Sequence, residues 1–214
     1  MKNQWSKIQN TEMALAAYCN MLTNEEHFGC AYHNNNHINS MYDYLRDTDE
    51  PYDAALDWAV MFHDVVYDKD PKKELRSIDY FFEMADRYPC RNLTQEVKQR
   101  ASGLICVTID HIVLPEKVRR ANQALIRADL HQLANTTSSI RNFTLIMDES
   151  INLYNIDVKT FAESNLMFMS GLEERLQTNL DIVDKSQHMF YNDVIDGIRL
   201  TKSLANTIIK TFKD

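Results

Sequence analysis

The chain has 214 residues, 44% of them hydrophobic, so it can bury one substantial core and is short for two domains. Its formal net charge of −8 disfavours binding to a nucleic-acid polymer, because a polyanion requires a concentrated basic surface. Only four Gly and four Pro interrupt long periodic segments, which predicts an all-α, single-domain protein.

The cysteines and the N-terminal residues bear on location. The four cysteines show no ligand spacing such as CxxC, and a chain of this size does not need disulfide bonds: Cys19, Cys30, Cys90 and Cys106. Residues 1–10 lack a signal pattern, and no apolar run approaches the roughly 20 residues of a membrane span. We therefore expect a cytoplasmic protein with reduced thiols and no membrane partner, and the sequence leaves homo-oligomer formation open.

Helical periodicity in the first part of the chain predicts a helix that ends at about Thr23. The next helix should begin within residues 34–36, three consecutive Asn, because Asn side chains cap backbone N–H groups. Its buried face should include His37 and four apolar residues, Ile38, Met41, Tyr42 and Leu45. Pro51 is well placed to open a central helix, which the polar segment at residues 69–71 closes.

Further helices are predicted over residues 74–87, from Thr94 to about His111, and around the apolar run at residues 124–130. Three later helical segments carry no concentration of His or carboxylate on an apolar face, at residues 138–154, 157–176 and 186–212. We expect these later helices to serve packing.

The central helix contains an unusual combination of residues. Between Ala54 and Val66 the only polar side chains are Asp57, His63 and Asp64, which indicates a helix buried on nearly all sides. Burying a carboxylate is unfavourable by several kcal/mol unless it is compensated, and a bound cation beside an imidazole compensates it. Asp129 repeats this pattern in the later apolar run. The sequence therefore predicts a metal site.

Four residues in apolar helical context supply two imidazoles and two carboxylates, and no thiolate: His37, His63, Asp64 and Asp129. This donor set suits one or two divalent ions such as Mn, Fe, Co, Ni, Mg or Zn rather than a structural cysteine zinc site. The ion would join three helices, giving a metal-binding core at about residues 32–132, followed by packing helices at about residues 138–212.

The order His37, His63-Asp64, Asp129 resembles the HD superfamily of metal-dependent phosphohydrolases. Residues 32–37, Tyr-His-Asn-Asn-Asn-His, resemble the Y-H-N-x-x-H element of cyclic-nucleotide phosphodiesterases, and residues 128–130 resemble the element that carries their last ligand. The chain is also similar to small bacterial and phage HD phosphohydrolases, which share a Phe-His-Asp-x-x-Tyr-Asp block and a Glu-x-x-Ser pair, here Glu74 and Ser77. The likeness covers about residues 32–154.

This resemblance implies a helical bundle of the HD type around a metal, with the four residues above as ligands and Asp64 able to bridge to a second ion. By analogy with the phosphodiesterases, His33 would be the general acid that protonates the leaving oxygen. The implied activity is metal-dependent hydrolysis of a small nucleotide-like phosphoester, either a monoester or a diester.

Two departures from these families bear on the substrate. The phosphodiesterases have a larger domain and a purine-binding Gln that have no counterpart here. In guanosine-tetraphosphate hydrolases a Glu-Asp follows the HD pair, and here Tyr67 and Asp68 stand at those positions, so only the Asp is kept. Two alternatives stay open: a di-iron oxygenase of the HD fold, with His111 as an extra nitrogen ligand, and a nucleotide-binding protein without turnover.

Other residues have two interpretations each. His111 closes a helix, where it would interact favourably with the helix dipole, or it reaches a second metal or a phosphate. Asp68 is either solvated or orients the catalytic water. Four basic residues follow the ligand pair closely and form either a solvated helix face or a binding site for additional phosphates: Lys69, Lys72, Lys73 and Arg76.

Overall fold

The computed structural model describes residues 5, 8, 11–23, 30–67, 70, 72–112 and 119–212, and Asp68 of the predicted site lies outside them. Within these ranges every regular element is a helix, which confirms the predicted all-α class. The α-helices are α1 (Glu12–Thr23), α2 (Asn35–Asp47), α3 (Ala54–Phe62), α4 (Lys73–Arg87), α5 (Gln95–Asp110), α6 (Arg119–Leu130), α7 (Thr136–Tyr154), α8 (Val158–Leu180) and α9 (His188–Thr211). Two short 3-10 helices span His131–Ala134 and Lys185–Gln187.

The chain divides into two compact units. The first comprises Met1–Ile109 and Leu114–Asp129, and the second comprises Asp110–Val113 and Leu130–Asp214. The predicted ligands all belong to the first unit, whereas α7, α8 and α9 belong to the second. The single-domain organisation expected from chain length stays a prediction.

Helix α3 lies at the centre of the first unit. Every residue from Ala55 to Phe62 is buried, as expected from its almost wholly apolar sequence. Aromatic rings pack around it, with the Phe81 ring 5.2 Å from that of Phe62 and 6.2 Å from that of Trp58. The Asp53 side chain caps the helix by accepting hydrogen bonds from Ala55 N and Leu56 N, so Asp53 rather than Pro51 defines its start.

The end of α3 differs from the sequence prediction. The helix stops at Phe62, so His63 is its C-cap and Asp64 lies in the following turn instead of within the helix. Val66 N donates to Ser77 Oγ of α4 at 3.1 Å, and Val65 O accepts from Asn20 Nδ2 of α1 at 3.0 Å. The backbone groups of Val65 and Val66 thus form hydrogen bonds with side chains of neighbouring helices, and the helical hydrogen-bond pattern has ended before them.

The second unit is built from the last three α-helices and the 3-10 helices. Asn135 and Asp157 cap α7 and α8, and Asn155 between them adopts the left-handed conformation, with φ 52°. Helix α8 extends to Leu180, beyond the predicted end at residue 176. Across the described residues, no helix is both long and apolar enough to cross a membrane.

Candidate metal centre

Three helices of the first unit bring imidazoles and carboxylates to one point. His37 lies in the first turn of α2, His63 caps the end of α3, and Asp129 is the penultimate residue of α6. His37 Nε2 is 3.0 Å from Asp129 Oδ1, and His63 Nε2 is 3.9 Å from the same oxygen. The donor atoms of these three residues lie within 4.8 Å of one another, an arrangement that could hold a metal ion.

Asp64 approaches the same two imidazoles. Its Oδ2 lies 3.1 Å from His63 Nε2 and 3.9 Å from His37 Nε2. The turn after α3 makes this possible, because Asp64 is no longer held in the helical direction that follows His63. All four residues predicted as ligands are therefore brought together.

The donor set fits a cation better than a hydrogen-bonded cluster. Atoms that bind one ion at about 2.0–2.2 Å lie about 3.0–3.5 Å from their neighbours in the coordination shell, close to the shorter distances here. His37 Nε2 and His63 Nε2 are buried, and neither forms a hydrogen bond with any residue that the structure describes. Buried polar atoms usually have partners, so the two nitrogens are suited to bind an ion.

The other nitrogen of His63 fixes its tautomer. His63 Nδ1 lies 3.0 Å from the Val60 carbonyl oxygen. A carbonyl only accepts hydrogen bonds, so Nδ1 carries the proton, and in the neutral ring the lone pair is on Nε2. The backbone of α3 thus presents the metal-binding nitrogen toward the carboxylates.

The local charges favour a positive charge at this point. Burial lowers the pKa of His63, but the carboxylates of Asp64 and Asp129 outweigh it and raise that pKa to about 9. Burial raises the pKa of Asp64, but the positive charge of His63, helped by His33 and Lys73, lowers it well below its usual range. The carboxylates therefore stabilise a cation between the rings.

His33 lies beside the cluster. Its ring stacks on that of Tyr67, with centroids 4.0 Å apart, and meets the edge of the Tyr32 ring at 4.8 Å. The ring centroids of His33 and His37 are 6.1 Å apart. His33 is thus adjacent to the candidate ligands without being one of the three that could hold an ion.

Lys69 lies outside the described residues, and the structure separates the other three basic residues. Lys72 and Arg76 are exposed, and the Arg76 guanidinium lies 4.0 Å from the Asp70 carboxylate. Lys73 is half-buried, and its Nζ lies 3.7 Å from the centroid of the Tyr67 ring. Of the three, Lys73 contributes to the lowered pKa of Asp64, so it lies within electrostatic range of the site.

Ser77 and Asn20 hold the turn that carries the His-Asp pair. The buried Ser77 hydroxyl accepts from Val66 N at 3.1 Å and reaches Val66 O at 3.3 Å. In the sequence, Ser77 stands out only as part of the Glu-x-x-Ser pair, and no sequence pattern marks Asn20. A buried Ser on the apolar side of α4 is the feature that could have indicated this role.

Asp57 is a buried carboxylate outside the cluster. Burial raises the pKa of Tyr42 and Tyr52, and the negative charge of Asp57 is the next largest cause of this increase. The Tyr42 hydroxyl also donates a hydrogen bond to the backbone carbonyl oxygen of Asp57 at 3.0 Å. Two tyrosines therefore surround the third polar residue of the central segment. A buried Asp in an apolar helix does not by itself indicate a metal.

His111 belongs to the second unit. It is buried, with φ 54°, and its carbonyl oxygen accepts a hydrogen bond from Asn179 Nδ2 at 2.7 Å. This backbone conformation is uncommon for a residue other than Gly. Its predicted part in catalysis stays a prediction, as does that of Asp68.

No protein-family model, curated protein or solved structure matches the chain. The likeness to HD phosphohydrolases therefore rests on the motif residues alone.

Proposed function

We propose that this chain is a metal-dependent phosphohydrolase of the HD type that acts on a small nucleotide-like phosphoester. One observation carries the proposal: two buried imidazole nitrogens without hydrogen bonds to described residues meet two carboxylates, and the four side chains come from three separate parts of the chain. HD phosphohydrolases use this set of side chains in this order.

His37, His63 and Asp129 would hold the ion, and Asp64 would complete its ligands or bridge to a second ion. Bound by these residues, Mn, Fe, Co, Ni, Mg or Zn would supply a water of lowered pKa and would polarise the phosphoryl oxygens. The His63 Nδ1 contact with Val60 keeps the ring oriented for this role.

His33 is placed to act on the leaving group. It lies next to His37 without taking part in the three-residue cluster, and Tyr67 holds its ring by stacking. A protonated His33 would donate to the leaving alkoxide as the ester bond breaks. The net charge of −8 favours a small substrate over a nucleic-acid polymer.

The proposal is tested by metal content and phosphate release. The purified chain is loaded with each metal, desalted and assayed for released phosphate against a panel of nucleotides. We expect retained metal and turnover in the wild type, and loss of both in His37→Ala and Asp129→Ala. Asp79→Ala, an exposed carboxylate on α4, is the matched control and should retain both.

Different results would support the alternatives. Tightly held iron with oxygen consumption and no phosphate release would favour a di-iron oxygenase. Retained metal with nucleotide binding and no turnover would favour a binding protein. Full metal content in both ligand variants would contradict the site.

A further inference from the structure

The candidate metal centre is bordered by an aromatic and basic face. Tyr67 follows the turn that carries Asp64 and is only 5% exposed. His33 stacks on the Tyr67 ring at 4.0 Å, and the Lys73 ammonium lies 3.7 Å from the same ring centroid. Tyr67 therefore positions an imidazole and an ammonium group next to the carboxylate cluster.

Lys73 and Arg76 differ in their described partners. Among the described residues, no carboxylate lies within ion-pair distance of the Lys73 ammonium, whereas Arg76 approaches Asp70 at 4.0 Å. The contact with Tyr67 is a cation–π interaction, which stabilises the ammonium by about 0.5–2 kcal/mol but leaves its three N–H donors for other partners. A half-buried ammonium of this kind is suited to an anionic ligand.

The carboxylates of the candidate centre disfavour a phosphate ligand, and a nearby ammonium group would offset this effect. Asp64 and Asp129 repel a phosphate dianion, and repulsion is strong where water is partly excluded. Lys73 and His33 both contact the Tyr67 ring, at 3.7 and 4.0 Å, and the His33 ring centroid lies 6.1 Å from that of the candidate ligand His37. A phosphate approaching the ion would therefore pass close to both basic groups.

We propose that Lys73 binds a phosphate group of the substrate beside the candidate metal centre. Lys72 and Arg76 are exposed, whereas Lys73 is half-buried against the Tyr67 ring, so Lys73 is the best placed of these three residues. The inference rests on the proposed function, because only a hydrolase would treat this phosphate as part of a substrate. The binding of phosphate itself can be measured without turnover.

The test compares two neighbouring lysines in the metal-loaded protein. Inorganic phosphate is titrated by calorimetry into the wild type, Lys73→Met and Lys72→Met, with Lys210→Met at the exposed end of α9 as a control for net charge. We expect the affinity for phosphate to fall about tenfold or more in Lys73→Met, because a charged hydrogen bond is lost. The other two variants should change it less than about twofold.

Lys73→Arg separates loss of charge from loss of fold. It should keep most of the phosphate affinity, and all variants should keep the metal content of the wild type. Where turnover occurs, Lys73→Met should raise KM for nucleoside monophosphates and polyphosphates by a similar factor.

Several results would overturn the inference: no phosphate binding in the metal-loaded wild type, equal losses in Lys72→Met and Lys73→Met, or a KM rise confined to polyphosphates. Phosphate binding through Lys73 in a protein that releases no phosphate would support the inference and contradict the hydrolase proposal. The two failures are therefore distinguishable.

Discussion

Individual side chains decide where the metal ligands point. Val60 fixes the tautomer of His63, and Ser77 satisfies both backbone groups of Val66 two residues after Asp64. Neither residue would touch the ion. Each controls the direction in which a candidate ligand is presented, and loss of such a supporting contact typically lowers metal affinity by about 10–100-fold.

Ser77→Ala tests this control. The change leaves Val66 N and Val66 O without their hydroxyl partner in a buried place, so we expect a loss of about 1–3 kcal/mol in the free energy of unfolding. Metal affinity should fall as the turn loosens, by about tenfold. Urea unfolding and a competitive metal titration measure the two effects.

Ser102→Ala is the control for this change. Its hydroxyl donates to Gln99 O within α5 and is close to solvent, so removing it should alter neither quantity measurably. Normal metal affinity in Ser77→Ala would mean that the turn keeps its shape without the hydroxyl.

Asp57 shows that residue type alone does not decide whether a buried carboxylate lies at the candidate metal centre. Asp57 and Asp64 look alike in the sequence, since both are carboxylates in an apolar segment, yet tyrosines surround one and imidazoles the other. The convergence of His37, Asp129 and the His-Asp pair could be predicted because His37 and Asp129 occur in matching apolar contexts. The environment of Asp57 could not be predicted from the sequence, because Tyr42 and Tyr52 come from other segments of the chain.

Helix boundaries depend on local and on distant groups. The start of α2 was predicted correctly because its determinant is local: Asn34 Oδ1 accepts from Asn36 N at 2.8 Å. The predicted end of α3 was wrong because the residues that determine it, Asn20 and Ser77, belong to other helices. Capping residues can be found in a sequence, whereas competition from another helix requires the fold.

Close contact between elements makes a glycine necessary in α9. A Cβ added at Gly197 would overlap the Leu133 carbonyl oxygen of the 3-10 helix and crowd Ser139 Oγ. The backbone cannot yield cheaply there, so Gly197→Ala should lower the free energy of unfolding by about 2–3 kcal/mol. Thermal or urea unfolding measures it.

Gly103 provides the opposite case in α5. A Cβ there meets no other side chain or element within 4 Å, so Gly103→Ala should stabilise the protein by about 0.5–1 kcal/mol through helix propensity. If both alanine variants gain stability, α9 and the 3-10 helix pack less closely than described.

At the scale of the whole molecule, the buried tyrosines make the free energy of unfolding depend on pH in the alkaline range. Burial, then the Asp57 charge, raises the pKa of Tyr42 well above its ordinary value of 10.0. A tyrosine of raised pKa in the folded state contributes stability that is complete below about pH 10, where the unfolded residue ionises, and is lost as pH rises further. Stability should therefore fall above about pH 10, by up to about 1.4 kcal/mol per pH unit from Tyr42.

Tyr42→Phe isolates this contribution. The variant should be less stable by about 1 kcal/mol at pH 8, because the hydrogen bond to the Asp57 carbonyl is lost. It should lose less stability than the wild type between pH 9 and pH 11, so the two curves of unfolding free energy converge. Parallel curves would show that other groups cause the alkaline loss.

The wide spacing of the candidate ligands has a consequence for synthesis in the cell. His37, His63 and Asp64 leave the ribosome well before Asp129, which comes from α6. An N-terminal fragment ending before α6 has two imidazoles and one carboxylate but not the oxygen nearest His37 Nε2. Domains fold as units during translation, so the candidate centre cannot be complete until most of the first unit has been made.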